Sequence, residues 1–160
     1  MRREDLIEKY CQKRLILDIG SYEQKLTRGI GLDIKVNENV NIKCDAQELP
    51  IKNNVIDTIF AGEIIEHLPN PGKFLLECKR VFKTNAKIII TTPNARSLKK
   101  IDKEDHLFCF LLEQLERFVS RYFKIIGGYV NVYRRNLLFK FICELIPNFS
   151  WHVYVVGKKC

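Results

Sequence analysis

Short apolar runs that stop at Gly, Asp or a polar turn recur along this chain, and they restrict its fold more than any other feature. Residues 15–20 (LILDIG), 30–34, 40–44, 57–62 and 86–92 are each too short for an ordinary helix, and the clearest of them are rich in β-branched side chains. Such runs suit strands buried on both faces, as in a parallel sheet. Parallel neighbours need crossovers, and the sequence supplies one clear helix for that purpose. From Pro71 onward Phe74, Leu75, Cys78, Val81 and Phe82 fall on one helical face, and Pro71 suits a first turn because its missing amide hydrogen does no harm there. A second amphipathic helix is expected at 110–122, where Leu111, Leu115, Phe118, Val119 and Tyr122 share a face, and a short one at 3–12. Two further strands are expected at 124–130 and 152–157, with an apolar helix between them that ends at Pro147.

Strands alternating with helices predict one Rossmann-like α/β domain over residues 1–160, a mostly parallel sheet between helical layers. The first crossovers are shortened. Only residues 21–29 join the first two strands and 35–39 the next two, fewer than the ~10–12 that a crossover with a helix needs. One sheet face is therefore expected to be thinly covered, which points to a homodimer or a partner subunit.

With 27 Lys and Arg against 19 Asp and Glu the net charge is +8, yet the basic residues are scattered, the densest groups being Lys99, Lys100, Lys103 and Arg134, Arg135. That pattern attracts anions in general and carries no strong nucleic-acid signal. A composition 46% hydrophobic excludes a disordered chain. The six cysteines form no Cys-x-x-Cys pair and no ligand spacing with His, so no metal is assigned and the thiols are read as reduced. No signal peptide or transmembrane segment is evident, and a cytoplasmic location is the expectation.

In an open parallel sheet, ligands bind beyond the carboxyl ends of the central strands. The loops there contain Asp18 and Gly20, then Asp33, then Asp45 and Ala46, then Gly62, Glu63, Glu66 and His67. A carboxylate such as Asp33 can accept from both hydroxyls of a ribose. Asp45 can accept from an exocyclic amino group while the Ala46 amide donates to a ring, and Gly20 lets the backbone approach a ligand closely. Each residue alone also reads as a turn former or cap; their order along the chain favours the ligand reading.

The strings LDIGS at Leu17, GLDIK at Gly31, DAQELPIKNNVIDTIFAGEIIEHLPNP from Asp45 and KRVFKTNAKIIITTPN from Lys79 resemble the class I S-adenosylmethionine-dependent methyltransferases, small-molecule type, similar to the ubiquinone and menaquinone biosynthesis enzymes. The resemblance covers roughly residues 15–130. It implies seven strands with the last antiparallel, and S-adenosylmethionine as cofactor. By it, Asp18 and Gly20 serve the methionine end, Asp33 the ribose, and Asp45 with Ala46 the adenine, while Glu63 flanks the methyl donor. Methyl transfer to a small-molecule or lipid-like acceptor follows, with His67 and His106 as candidate catalytic bases. Ser21 and Tyr22 follow Gly20 where the family usually has more glycine, so a catalytically degenerate binding or scaffold subunit is the alternative. An RNA-binding protein is a third reading, resting on charge and on aromatics near Arg134.

Overall fold

The computed structural model describes residues 3–11, 15–23, 25–97, 105–131 and 152–160. Its elements follow the apolar runs in order: helix α1 (Arg3–Tyr10), strands β1 (Ile16–Ile19), β2 (Ile30–Asp33), β3 (Ile42–Lys43) and β4 (Ile56–Gly62), then a short 3-10 helix (Ile65–His67). Helix α2 (Pro71–Val81), strand β5 (Phe82–Pro93), helix α3 (Leu112–Val119) and strands β6 (Lys124–Asn131) and β7 (His152–Lys158) complete it. The apolar helix expected before Pro147 lies outside the described residues.

All seven strands join one sheet in the order β3-β2-β1-β4-β5-β7-β6. Strands β1 to β5 pair in parallel, and β7 runs antiparallel between β5 and β6. The chain turns outward in opposite directions from β1, toward β2 and toward β4. Loops leaving the carboxyl ends of β1 and β4 therefore diverge and open a crevice.

Helix α2 forms where expected, for local reasons: the Asn70 side chain accepts the Lys73 amide at 2.9 Å as an N-cap, and Pro71 follows it. Its stripe of Phe74, Leu75, Cys78 and Val81 is buried together with Leu115 and Val119 of α3 against Leu17, Ile59, Ile88 and Val155 of the sheet. Strand β5 begins earlier than its apolar core, directly at the end of α2. Asn85 takes φ 65°, and its amide bonds the Lys159 carbonyl at 3.1 Å, so the polar stretch KTNA is held as an irregular strand edge. Helix α3 and strand β3 are shorter than the periodicity predicts.

The opposite sheet face overturns the expectation of an open surface. Neither of the first two links contains a helix among its described residues. Even so, Ile16, Phe60, Ile89, Tyr154 and Val156 are buried with Leu6, Ile7 and Cys11 of the N-terminal segment and Leu26 of the first link. Two polar ties seat α1 there: Glu4 Oε1 accepts the Thr27 amide at 2.9 Å and its hydroxyl at 2.6 Å, and Lys87 Nζ donates to the Tyr10 carbonyl at 2.6 Å. Coverage of this apolar core within the chain removes the physical reason for requiring a second subunit.

Candidate active site

Beyond the carboxyl ends of β1 to β5 lies a cleft of about 720 Å³. Small-molecule sites typically span about 300–1,000 Å³. Gly20, Asp33, Asp45, Ala46, Glu63, His67 and His106 all line it. Of the residues expected at the site, Asp18 alone is outside that lining. It is fully buried, and its Oδ2 accepts the Leu26 amide at 2.6 Å. With no helix among the described residues of the first link, this carboxylate supplies an acceptor for the loop backbone. Asp18 therefore shapes the cleft by holding the link.

The turn after β1 requires glycine. Gly20 has φ 81°, its amide bonds the Leu32 carbonyl at 2.9 Å, and a Cβ there would lie 3.1 Å from the Gly62 carbonyl oxygen. Next comes Tyr22, whose ring faces the Lys35 ammonium at 5.5 Å. Its carbonyl accepts from Asn37 Nδ2 at 2.6 Å and Asn39 Nδ2 at 3.2 Å, latching the loop after β1 to the loop after β2.

Asp33 completes the latch. Its Oδ2 accepts the Tyr22 amide at 3.1 Å and its Oδ1 the Lys35 amide at 3.0 Å. A carboxylate has about four acceptor sites, so two such bonds leave capacity for two hydroxyls.

Asp45 is oriented by a residue that sequence reasoning missed. The Gln47 side-chain nitrogen lies 3.1 and 3.2 Å from the two Asp45 carboxylate oxygens, and the Gln47 oxygen accepts the Asn70 amide at 2.9 Å. Gln47 thus braces Asp45 against the start of α2. Between Asp33 and Asp45 sits Cys44, whose thiol is pushed up to about 11 by burial first and then by the Asp45 and Asp33 charges. Such a thiol stays protonated near neutrality and is no nucleophile.

On the far wall Glu63 takes φ 55° and is held on both sides: Oε1 accepts the Thr91 hydroxyl at 2.7 Å, and Oε2 lies 3.2 Å from His152 Nε2. His152 was missed as well. It reaches the cleft because β7 inserts beside β5 and sets it opposite Pro93, a placement no local motif reveals.

His67 and His106 come together, although 38 residues separate His67 from Asp105. Their rings meet edge to face with centroids 4.8 Å apart. The Leu107 and Phe108 amides bond the Glu66 carbonyl at 2.8 and 3.1 Å, which docks the segment after β5 onto the 3-10 helix. His67 Nδ1 lies 3.0 Å from the Asp105 carbonyl oxygen. A carbonyl only accepts, so Nδ1 carries the hydrogen, and in the neutral ring Nε2 keeps the lone pair.

Comparison with known proteins supports a family assignment. A family described as "Methyltransferase domain" matches residues 17–90. Norajmaline N-methyltransferase of Rauvolfia serpentina is 34% identical over 88 residues, 51% of this chain and 29% of that protein. A probable S-adenosylmethionine-dependent methyltransferase of Mycobacterium tuberculosis is 30% identical over 53 residues, 33% of this chain and 19% of its own length. The chain thus spans less than a third of these relatives. A solved SAM-dependent methyltransferase from Aquifex aeolicus shares the fold with a TM-score of 0.69 at 18% identity, covering 98% of this chain and 89% of that one. Residues 17–90 thus match a methyltransferase domain, the relatives that match are named as methyltransferases, and the seven-stranded sheet shares its fold with a solved S-adenosylmethionine-dependent methyltransferase.

Proposed function

We propose that residues 1–160 act as one methyltransferase unit that moves a methyl group from S-adenosylmethionine to a small-molecule acceptor. The observation that carries this reading is the convergence of Gly20, Asp33 and Asp45 on one cleft. The residues fit the cofactor. Gly20 leaves room where a Cβ would crowd the Gly62 carbonyl, and Asp33 keeps acceptor capacity after holding two amides.

When bound, S-adenosylmethionine supplies an electrophilic methyl on a sulfonium. Asp33 accepts from the ribose hydroxyls, and Asp45, braced by Gln47, accepts from the adenine amino group beside the Ala46 amide. Glu63, steadied by Thr91 and His152, sets a negative charge in the wall near the donor. For an acceptor that must lose a proton, His67 Nε2 takes it, with His106 beside it. Alignment of donor and acceptor inside the cleft supplies the rest of the rate.

The Rauvolfia relative is named for N-methylation of norajmaline, which favours a small-molecule acceptor over a macromolecule. Tyr22 is compatible with this chemistry, because its backbone ties the two cofactor-side loops together and its ring is turned toward Lys35. The described cysteines are free thiols, in keeping with a cytoplasmic setting, and no described helix is long and apolar enough to cross a membrane. The test is incubation with methyl-labelled S-adenosylmethionine and a panel of amine and hydroxyl acceptors. Label in at least one product, with stoichiometric formation of S-adenosylhomocysteine, supports the proposal. Cofactor binding without turnover across the panel, even with cell-extract metabolites added, contradicts it.

A further inference from the structure

We propose that Glu66, His67 and His106 form a binding site for one divalent transition-metal ion in the wall of the cleft. One ligand atom from each of the three residues lies within 4.8 Å of the other two. Two imidazoles and a carboxylate are a donor set suited to Zn²⁺ and its neighbours, and three protein ligands leave a coordination position open. Ligand bonds of about 2.0–2.1 Å in a tetrahedron separate donor atoms by roughly 3.3 Å, so binding draws the three atoms together by an ångström or so.

What surrounds the triad favours ligation over mere ring packing. A ligating histidine characteristically donates its second nitrogen to a carbonyl or carboxylate, which fixes the tautomer. His67 Nδ1 does this with the Asp105 carbonyl at 3.0 Å, and the Asp105 carboxylate lies 3.5 Å from the same nitrogen. Glu66 is oriented by the Thr92 hydroxyl, 2.9 Å from Oε2, and is buried at 1% exposure, where a nearby cation's charge counts most. His106 is positioned in turn, because the two residues that follow it hang from the Glu66 carbonyl. Backbone and side-chain bonds thus hold all three donors in register.

The ligands come from two separate segments, the 3-10 helix after β4 and the stretch near 106 after β5. A bound ion would cross-link them and stiffen this wall of the cleft. It would also occupy the His67 lone pair, so His67 serves as a proton acceptor only in the metal-free chain. The site does not depend on cofactor binding, and the two are separable by experiment.

Whole protein stripped with a chelator is titrated with Co²⁺ by visible absorption and with Zn²⁺ by calorimetry. One ion per chain is expected, with a ligand-field spectrum free of thiolate charge transfer, and with a higher unfolding midpoint under Zn²⁺. His67→Ala and His106→Ala should each weaken binding about a hundredfold or more, beyond what loss of an outer-shell partner usually costs. Glu66→Gln, which keeps the Thr92 bond, should weaken it as well, and Cys109→Ser should leave it unchanged. His106→Gln, closer in size to the original, guards against misfolding in the alanine variant; circular dichroism and S-adenosylhomocysteine binding report on each fold. Absence of metal binding, a thiolate spectrum, or full affinity in folded His67 and His106 variants would overturn the proposal.

Discussion

Replacing Asp33 by Ala should cost this chain most of its cofactor affinity. In the structure the Asp33 carboxylate already holds the Tyr22 and Lys35 amides, one on each oxygen. The remaining lone pairs are those assigned to the two ribose hydroxyls. A hydrogen bond to a charged group contributes about 1.5–3 kcal/mol, so losing two removes about 3–6 kcal/mol. At about 1.4 kcal/mol per tenfold, affinity falls by two to four powers of ten. The two released amides are partly or wholly exposed, so water satisfies them, and the fold itself should lose only about 1 kcal/mol. Asp33→Asn keeps one acceptor oxygen and should fall between wild type and Asp33→Ala. The assay is equilibrium dialysis with labelled S-adenosylhomocysteine, alongside chemical unfolding of each variant. Asp33→Ala binding within twofold of wild type, in a protein that unfolds normally, would refute the assignment of Asp33 to the ribose.

Four further outcomes follow from named contacts. Gly20→Ala puts a Cβ on a residue with φ 81° and 3.1 Å from the Gly62 carbonyl, so urea unfolding should show a loss of about 1–3 kcal/mol. Gln47→Ala frees Asp45 and strips the Asn70 amide of its acceptor; stability should drop by about 1 kcal/mol and calorimetry should show weaker cofactor binding. Leu6→Ala, at a site 1% exposed, should destabilise by about 2–5 kcal/mol if α1 seals the sheet face, and a loss under about 1 kcal/mol would mean that something else covers it. Glu77 is held below its ordinary value of 4.5, chiefly by the Arg80 guanidinium, so its stabilisation is present above that pH and fades as pH falls through the lowered value; Glu77→Gln should flatten this part of the acid unfolding profile.

Much of the fold was legible because its signals are local. The runs at β1, β2, β4 and β5 announced buried parallel strands, and Pro71 and the apolar stripe announced α2, while the Asn70 cap emerged only with the structure. The covered face was not legible. Leu6, Ile7 and Leu26 are few and unremarkable in sequence, and their sufficiency depends on Glu4 and Lys87 seating α1 across the sheet. Site residues divide in the same way. Gly20, Asp33, Asp45, Ala46 and Glu63 follow strand ends and line the cleft, whereas Asp18 has the right position and turns inward to the first link. Gln47 was hidden because its role is a brace between two segments. His152 depends on the insertion of β7 beside β5, and the meeting of His67 with His106 on the docking of the later segment at the Glu66 carbonyl.

The proposed function requires that the cleft hold S-adenosylmethionine despite the short first link and Tyr22. Calorimetric titration of the whole chain with S-adenosylmethionine and S-adenosylhomocysteine tests it most directly. One site per chain for each, competing with one another and shifting the unfolding free energy by about 2.7 kcal/mol at a hundredfold excess over the dissociation constant, is the expected result. No heat and no shift with millimolar ligand on folded protein would contradict it.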